Sequence, residues 1–274
     1  MNAIDVTLRS GALRLVSGRR FPRRLGVDFA GEVDATGPGV TGWRRGDRVW
    51  GGVLGYERGQ AGAAADYVLV PHAQLSPAPA GIDLITAAAL PAVGVTALVA
   101  LRHARLREGQ RMLLRGAAGG FGSAAVQLAA SLGAHVTAMA SARHLDALRD
   151  LGAKEALDRR VIQPRDLPTY DVVVDAVGTD LAAYRRLAPR TVTIAYGRAG
   201  ALAGIAASTV FGPRRIRSFR GRLRAADLAL LTQRVEAGHL RPIVAGVYPL
   251  EEAARAHRQM EAGGNLGKLV IRPL

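Results

Sequence analysis

Apolar residues fall into two textures along the chain, and the change comes near Ile82. Residues 26–71 carry short apolar runs broken by Gly and Pro: "GVDFAGEVDATGPGV", "GDRVWGGV" and "ADYVLVP". That spacing predicts a small β domain with tight turns. Beyond it, "DLITAAALPAVGVTALVALRHA" is helical in composition, with Pro91 and Gly94 marking an interruption between two helical pieces.

A regular alternation follows. Strand signals at "RMLLRG", "HVTAMA", "EALD", "YDVVVDAV", "RTVTIAYG" and "RRIRSF" are interleaved with helix signals at "FGSAAVQLAASLG", "RHLDALRDLG" and "TDLAAYRRLA". Buried runs of Val, Leu, Ile and Ala separated by amphipathic helices predict an α/β fold with a doubly wound parallel sheet. Helices at 225–237 and 250–262 and a closing strand "GKLVIRP" complete the reading, with no internal repeat.

The first strand of that alternation runs into glycines. "RMLLRGAAGGFGSAAVQLAASLGAHV" sets Gly116, Ala118, Gly119, Gly120, Phe121 and Gly122 between a strand and a helix. A glycine turn there lets backbone N–H groups approach a pyrophosphate, and the helix N-terminus adds a favourable dipole. The bland alternative is that the glycines only permit close strand–helix packing. In NAD-preferring folds an Asp or Glu about twenty residues past the glycines receives the ribose hydroxyls. Here the second strand ends in "MASARH", where Ser141 can hydrogen-bond a 2′-phosphate and Arg143 can pair with it. NADPH is therefore the expected cofactor, although Arg143 also reads as a solvated arginine at a helix start.

Composition removes several classes. With no cysteine among 274 residues there is no disulfide framework, thiolate zinc site or cysteine nucleophile. The six histidines are scattered without ligand spacing, so no metal site is expected. The opening "MNAIDVTLRSG" lacks the pattern of a signal peptide and no apolar stretch reaches membrane-spanning length, so a cytoplasmic protein with no membrane partner is expected. The formal charge of +15 would favour a polyanion. Yet all but Lys154 and Lys268 of the 37 basic residues are arginine, spread along the chain in pairs, and aromatic residues make up only 5%. No specific nucleic-acid partner is expected.

In order along the chain, "LGVDFAGEV", "GVTGWRRGDRVWG", "ADYVLVP", "AAALPAVGVTA", "GAAGGFGSAAVQLA" and "NLGKLVI" resemble the zinc-independent quinone oxidoreductase and enoyl reductase branch of the medium-chain dehydrogenase/reductase superfamily. The likeness covers nearly the whole chain. Zinc-dependent relatives need Cys and His ligands around a "GHE" segment, where this chain has "GVDFAGEV". The opening "NAIDVTLRSG" resembles the family segment in which an Asn and an Asp flank the active-site cleft, matching Asn2 and Asp5.

The resemblance implies a Rossmann sheet at residues 92–240, inserted in a smaller, mainly β, GroES-like catalytic domain at 1–91 to which residues 241–274 return. Cofactor and substrate would meet between the two. It also implies Thr96 near the nicotinamide, Gly178 and Gly197 at strand ends bordering the cofactor, and Asn265, Gly267 and Lys268 near the cleft. A homodimer paired through the edge of the sheet is implied too, with "RRIRSF" as the candidate edge.

The chemistry expected from that family is hydride donation from NADPH to a small-molecule acceptor, a quinone or the β-carbon of an enone or enoyl thioester. No proton donor stands out. Some relatives place a tyrosine just after the Asp5 equivalent, where this chain has Val6, Thr7 and Leu8. Thr7 reads either as a hydroxyl that orients a water or substrate oxygen, or as a strand residue. Relatives also carry some thirty further residues before the Asn2 equivalent. A start assigned too far downstream and a genuine shortening are the two readings, and the second admits a redox-inactive member recruited as a cyclase, isomerase or partner subunit.

Overall fold

The computed structural model describes residues 1–11, 24–53, 62–195, 205, 208, 214–219 and 223–273. These fall into two compact units, Met1–Val95 with Arg222–Leu274, and Thr96–Gly221.

The second unit holds the doubly wound sheet. Its strands are β4 (Arg111–Arg115), β5 (His135–Ala140), β6 (Glu155–Asp158), β7 (Val172–Asp175), β8 (Arg190–Thr193) and β9 (Ile216–Arg217). They run parallel in the order β6-β5-β4-β7-β8-β9. Strands covered on both faces carry continuous apolar runs, and Met112–Leu114 and Val172–Val174 are all fully buried. Helix α4 (Gly120–Ser131) is buried from Phe121 to Ala129, where three alanines let it lie close to the sheet. Gly133, with φ +75°, ends that helix in the left-handed conformation that glycine adopts without strain. Helices α5 (Leu145–Asp150) and α6 (Leu181–Tyr184) complete the alternation expected from the sequence.

The first unit is built from small sheets. Strands β1 (Asp28–Glu32), β2 (Arg48–Gly52) and β3 (Leu75–Pro77) form an antiparallel sheet. One face packs Phe29, Val49 and Val53 against Trp43, Val68, Val70 and Leu75. The expected strand "ADYVLVP" is not one. Residues 65–70 lie outside regular structure, and the alternation survives only in packing: Val68 and Val70 point into the cluster, while Tyr67 and Leu69 are 77% and 97% exposed.

Three further departures concern boundaries. The helical stretch after Ile82 splits into α2 (Leu84–Ala87) and α3 (Pro91–Ala104), with the break at residues 88–90. Pro91 opens the second helix, where its missing N–H costs nothing. Gly94 lies inside that helix rather than in the interruption, and a Cβ there would meet Leu231 at 2.8 Å, so it is a packing glycine. Helix α7 (Ala225–Glu236) belongs to the first unit, so the return to it comes earlier than residue 241. Thr232 of α7 donates its hydroxyl to the Pro77 carbonyl of β3 at 3.0 Å.

A strand unread in the sequence, β10 (Val244–Pro249), pairs in parallel with β11 (Lys268–Arg272), and helix α8 (Ala253–Ala262) joins them. Gly246 and the closing Pro249 dilute its apolar signal. The opening segment forms a helix, α1 (Ala3–Arg9), so Thr7 is helical and not a strand residue.

Candidate functional site

The turn after β4 meets the physical demands of a phosphate cradle. Strand order reverses between β4 and β7, which is the point where such sheets bind ligands at their carboxyl edge. Gly116 holds φ +77°, a conformation strained for any side chain. Gly122 sits against main chain: a Cβ would lie 2.5 Å from Ala117 and closer still to the Gly116 carbonyl. The protein itself thus requires both.

Gly119 is different. Its φ is −67°, and among the described residues a Cβ would find only the Gly116 carbonyl oxygen, at 3.7 Å. Neither backbone strain nor packing against the described residues demands glycine there. Gly119 is also the N-cap of α4 and has no side chain to satisfy the first-turn amides. The amides of Gly120, Phe121 and Gly122 belong to that first turn, where a helix leaves its donors without an intrahelical acceptor. Phe121 is buried and anchors the turn, whereas Ala118 is half-buried and Gly119 exposed.

At the end of β5, Ser141 is the N-cap of a single 3-10 turn, Ala142–His144, and makes no side-chain cap bond. Arg143 is exposed and donates from Nε to the His144 Nε2 at 3.3 Å. No carboxylate occupies residues 141–144. The second unit therefore places both the glycine turn and the Ser141–Arg143 pair at strand ends on the carboxyl edge. Gly178 follows β7 on the same edge, with φ +80° and its amide bonded to the Asp175 carboxylate at 2.8 Å. Gly197 lies outside the described residues.

In the first unit two of the expected residues, Asn2 and Lys268, converge on one that the sequence reading missed. Lys268, at the start of β11, donates from Nζ to the Asn2 side-chain oxygen at 2.6 Å and to Asp28 Oδ2 at 3.0 Å. Asn2 Nδ2 donates to the same Asp28 oxygen at 2.8 Å, and the Ala92 amide donates to the other at 2.6 Å. Lys268 and Asp28 side chains are 5% and 3% exposed. Burial alone raises the Asp28 carboxyl, but the ammonium of Lys268, the Met1 amine and the bonds from Asn2 and Lys268 outweigh it and hold the group below its ordinary value. Asp28 stands in "GVDFAGEV", the segment compared above with "GHE", so its position was marked but its partner was not.

Asp5, 1% exposed, accepts the Asn2 amide at 2.7 Å and the Gly26 amide at 3.1 Å. One oxygen thus closes the start of α1 and the other ties the chain opening to the segment before β1. Thr7 gives its hydroxyl back to the Ala3 carbonyl at 3.0 Å on an exposed helix face. Thr96 is half-buried within α3. Asn265 is not part of the Lys268 cluster. It accepts from Gln259 Nε2 at 2.9 Å and braces the end of α8, while Gly267, with φ +86°, turns the chain beside Ile243.

A parallel sheet whose order reverses beside a bare glycine turn defines a dinucleotide-binding type of fold. A family model described as zinc-binding dehydrogenase matches residues 151–271, and one described as an alcohol dehydrogenase GroES-like domain matches residues 1–80. A quinone oxidoreductase from Pseudomonas aeruginosa is 32% identical over 100% of this chain and 88% of its own length. An NADPH-dependent alkenal/one oxidoreductase from the chloroplast of Arabidopsis thaliana is 32% identical over 100% of this chain and 70% of its own. Among solved structures, a quinone oxidoreductase from Coxiella burnetii superposes with a TM-score of 0.87 at 29% identity, over 99% of this chain and 86% of that one. The chain belongs to the medium-chain dehydrogenase/reductase superfamily, a family of oxidoreductases.

The family model's description invites a test for zinc. The chain has no cysteine, and among the described residues no group of three His, Cys, Asp or Glu side chains stands together to hold a metal ion. The donor set does not fit zinc. Among the described residues no helix is long and apolar enough to cross a membrane.

Proposed function

We propose that this chain is a zinc-free, NADPH-dependent reductase that delivers hydride to a quinone or to the β-carbon of an α,β-unsaturated carbonyl or thioester. The observation that carries the reading is Gly119. It is a glycine that no strain or contact among the described residues requires, at the mouth of an uncapped helix, where a side chain would obstruct a ligand. The relatives named above support the same reading through the nicotinamide and quinone chemistry in their descriptions.

The first-turn amides of α4 hold the pyrophosphate, and Ser141 with Arg143 holds the 2′-phosphate. When bound, NADPH supplies a hydride, and the acceptor's second addition is a proton from solvent. Asn2, Asp5 and Lys268 spend their polar atoms on one another, on Asp28 and on main chain. Their part is to hold the framework of the first unit and not to transfer protons.

That same satisfaction favours the second reading, a redox-inactive member serving as a cyclase, isomerase or partner subunit. Titration with NADPH and NADH, followed by nicotinamide fluorescence, separates the two. The reductase binds NADPH more tightly than NADH and oxidises it on addition of a quinone or an enone. Arg143→Ala then weakens NADPH about tenfold or more and leaves NADH nearly unchanged, as loss of a charge-assisted pair to phosphate requires. Binding without turnover of either acceptor class would support the second reading, and equal loss for both nucleotides would remove Arg143 from the phosphate site. Pairing of two copies through β9, the terminal strand of the sheet, accompanies the proposal.

A further inference from the structure

The last residues of β4, β7 and β8 are Arg115, Asp175 and Thr193, and they sit side by side in register. All three are polar in a sheet whose preceding residues are apolar, and all are buried. Arg115 NH1 donates to Asp175 Oδ1 at 2.6 Å, with side chains 8% and 0% exposed. The same nitrogen donates to the Thr179 carbonyl at 2.7 Å, and the guanidinium lies 3.6 Å from the Tyr184 ring centroid. Asp175 Oδ2 accepts the Gly178 amide at 2.8 Å and the Thr193 hydroxyl at 2.9 Å. Thr193 Oγ1 in turn accepts the Ala195 amide at 3.1 Å.

Each member is followed directly by a connection on the carboxyl edge. Arg115 precedes Gly116 and the phosphate turn, Asp175 precedes residues 176–179, and Thr193 precedes Ile194 and Ala195. Apolar residues at three strand ends would pack the sheet as well and avoid the cost of burying an ion pair. A charged pair here adds direction, because a planar guanidinium and a carboxylate fix the angles at which the chain leaves each strand.

We propose that Arg115, Asp175 and Thr193 form a polar rung of positioning residues. The rung locks the phosphate turn, the 176–179 loop and the 194–195 segment into one pre-organised edge for the nicotinamide dinucleotide. The inference rests on the dinucleotide reading for its ligand. Its mechanical half, that one rung stiffens all three connections, does not.

The test uses the full chain and two variants. Arg115→Gln with Asp175→Asn replaces the ion pair by two neutral amides, the first shorter than the arginine, and leaves no unpaired buried charge. Arg115→Lys keeps the charge and loses the planar fork, and it carries the test where the first variant does not fold. Amide hydrogen exchange is followed at residues 116–119, 176–179 and 194–195, with β5 and β6 as internal controls, and NADPH affinity is measured well below the melting temperature. Exchange rises about tenfold at all three connections and not in the controls, and NADPH affinity falls about tenfold, with Arg115→Lys intermediate in both.

Folded variants with all three exchange rates and the affinity within about twofold of the parent would overturn the rung. So would faster exchange at 176–179 alone with unchanged affinity, since Arg115 would then brace only its own contact. A parent chain that binds no NADPH sinks the dinucleotide reading instead, and the exchange data still decide whether the rung exists.

Discussion

The glycine turn after β4 and the Lys268–Asp28–Asn2 cluster are both polar features in apolar surroundings, but they are made from opposite materials. The turn is main chain: its donors are amides, and its residue choices matter through what side chains are missing. The cluster is side chain: a buried lysine and aspartate from opposite ends of the first unit's sequence are satisfied by an asparagine and an amide. The fold around a main-chain site tolerates a change that leaves its backbone path alone, although an added side chain can still obstruct the ligand. A buried ion pair tolerates almost none, because removing one partner strands the other away from water.

The sharpest way to break the comparison is therefore on the side-chain region. Lys268→Met leaves Asp28 3% exposed and without its cation, and costs about 3–5 kcal/mol of stability by urea unfolding. Adding Asp28→Asn recovers most of that loss. A Lys268→Met protein as stable as its parent would show that the pair does not hold the first unit together.

In the turn, the effect depends on which glycine is changed. Gly122→Ala drives a Cβ into the Gly116 and Ala117 main chain and costs about 1–3 kcal/mol together with NADPH binding. Gly119→Val puts its Cβ 3.7 Å from the Gly116 carbonyl oxygen, the nearest atom among the described residues, so it costs about 1 kcal/mol or less, the scale of an N-cap change, yet abolishes NADPH binding. Equal losses of stability at the two positions would mean that the turn is a packing device and not a cradle.

The smallest effects come with pH, and they also divide by partner. Asp28 stays ionised in the folded protein below the ordinary value of 3.8, so its contribution is complete above that pH and is lost as pH falls through the lower folded value. His257 on α8 is held below its ordinary 6.5, first by burial and then by Arg9, against the opposing pull of Asp5 and Glu261. The unfolded chain takes up that proton first, so stability begins to fall as pH drops below 6.5. In a melting-temperature profile His257 therefore adds a first decline below pH 6.5 and Asp28 a second below 3.8, beside the decline that begins below pH 8.0 from the Met1 amine, which burial and Lys268 lower to about 5. His257→Gln flattens the first stage, and the double change at Asp28 and Lys268 flattens the second.

How much was legible follows the same division. The strands β4 to β8, with the helices between them, were readable because each is a short segment whose pattern is set by its own burial. So was the glycine turn, whose meaning lies in residues three to six apart. The strand at 65–71 was misread because its alternation is real but its backbone pairs with nothing described. Gly94 was taken for a break because a glycine needed for packing against Leu231 looks the same in sequence as one that ends a helix. Asp28 and the Arg115–Asp175–Thr193 rung went unread because their side-chain partners lie 18 to 240 residues apart in the chain.

By itself the sequence determined the α/β class, the parallel sheet, the place of the glycine turn between strand and helix and the absence of thiolate ligands. Local periodicity and residue chemistry are enough for each of these. Only the tertiary structure decided that Asn2, Asp5 and Lys268 are bound up in a buried network, that Gly116 and Gly122 are needed by the fold where Gly119 has room for a Cβ among the described residues, and that three strand ends meet at one ion pair. Those facts concern which atoms meet across the fold, and a pattern read along one chain holds no record of distance.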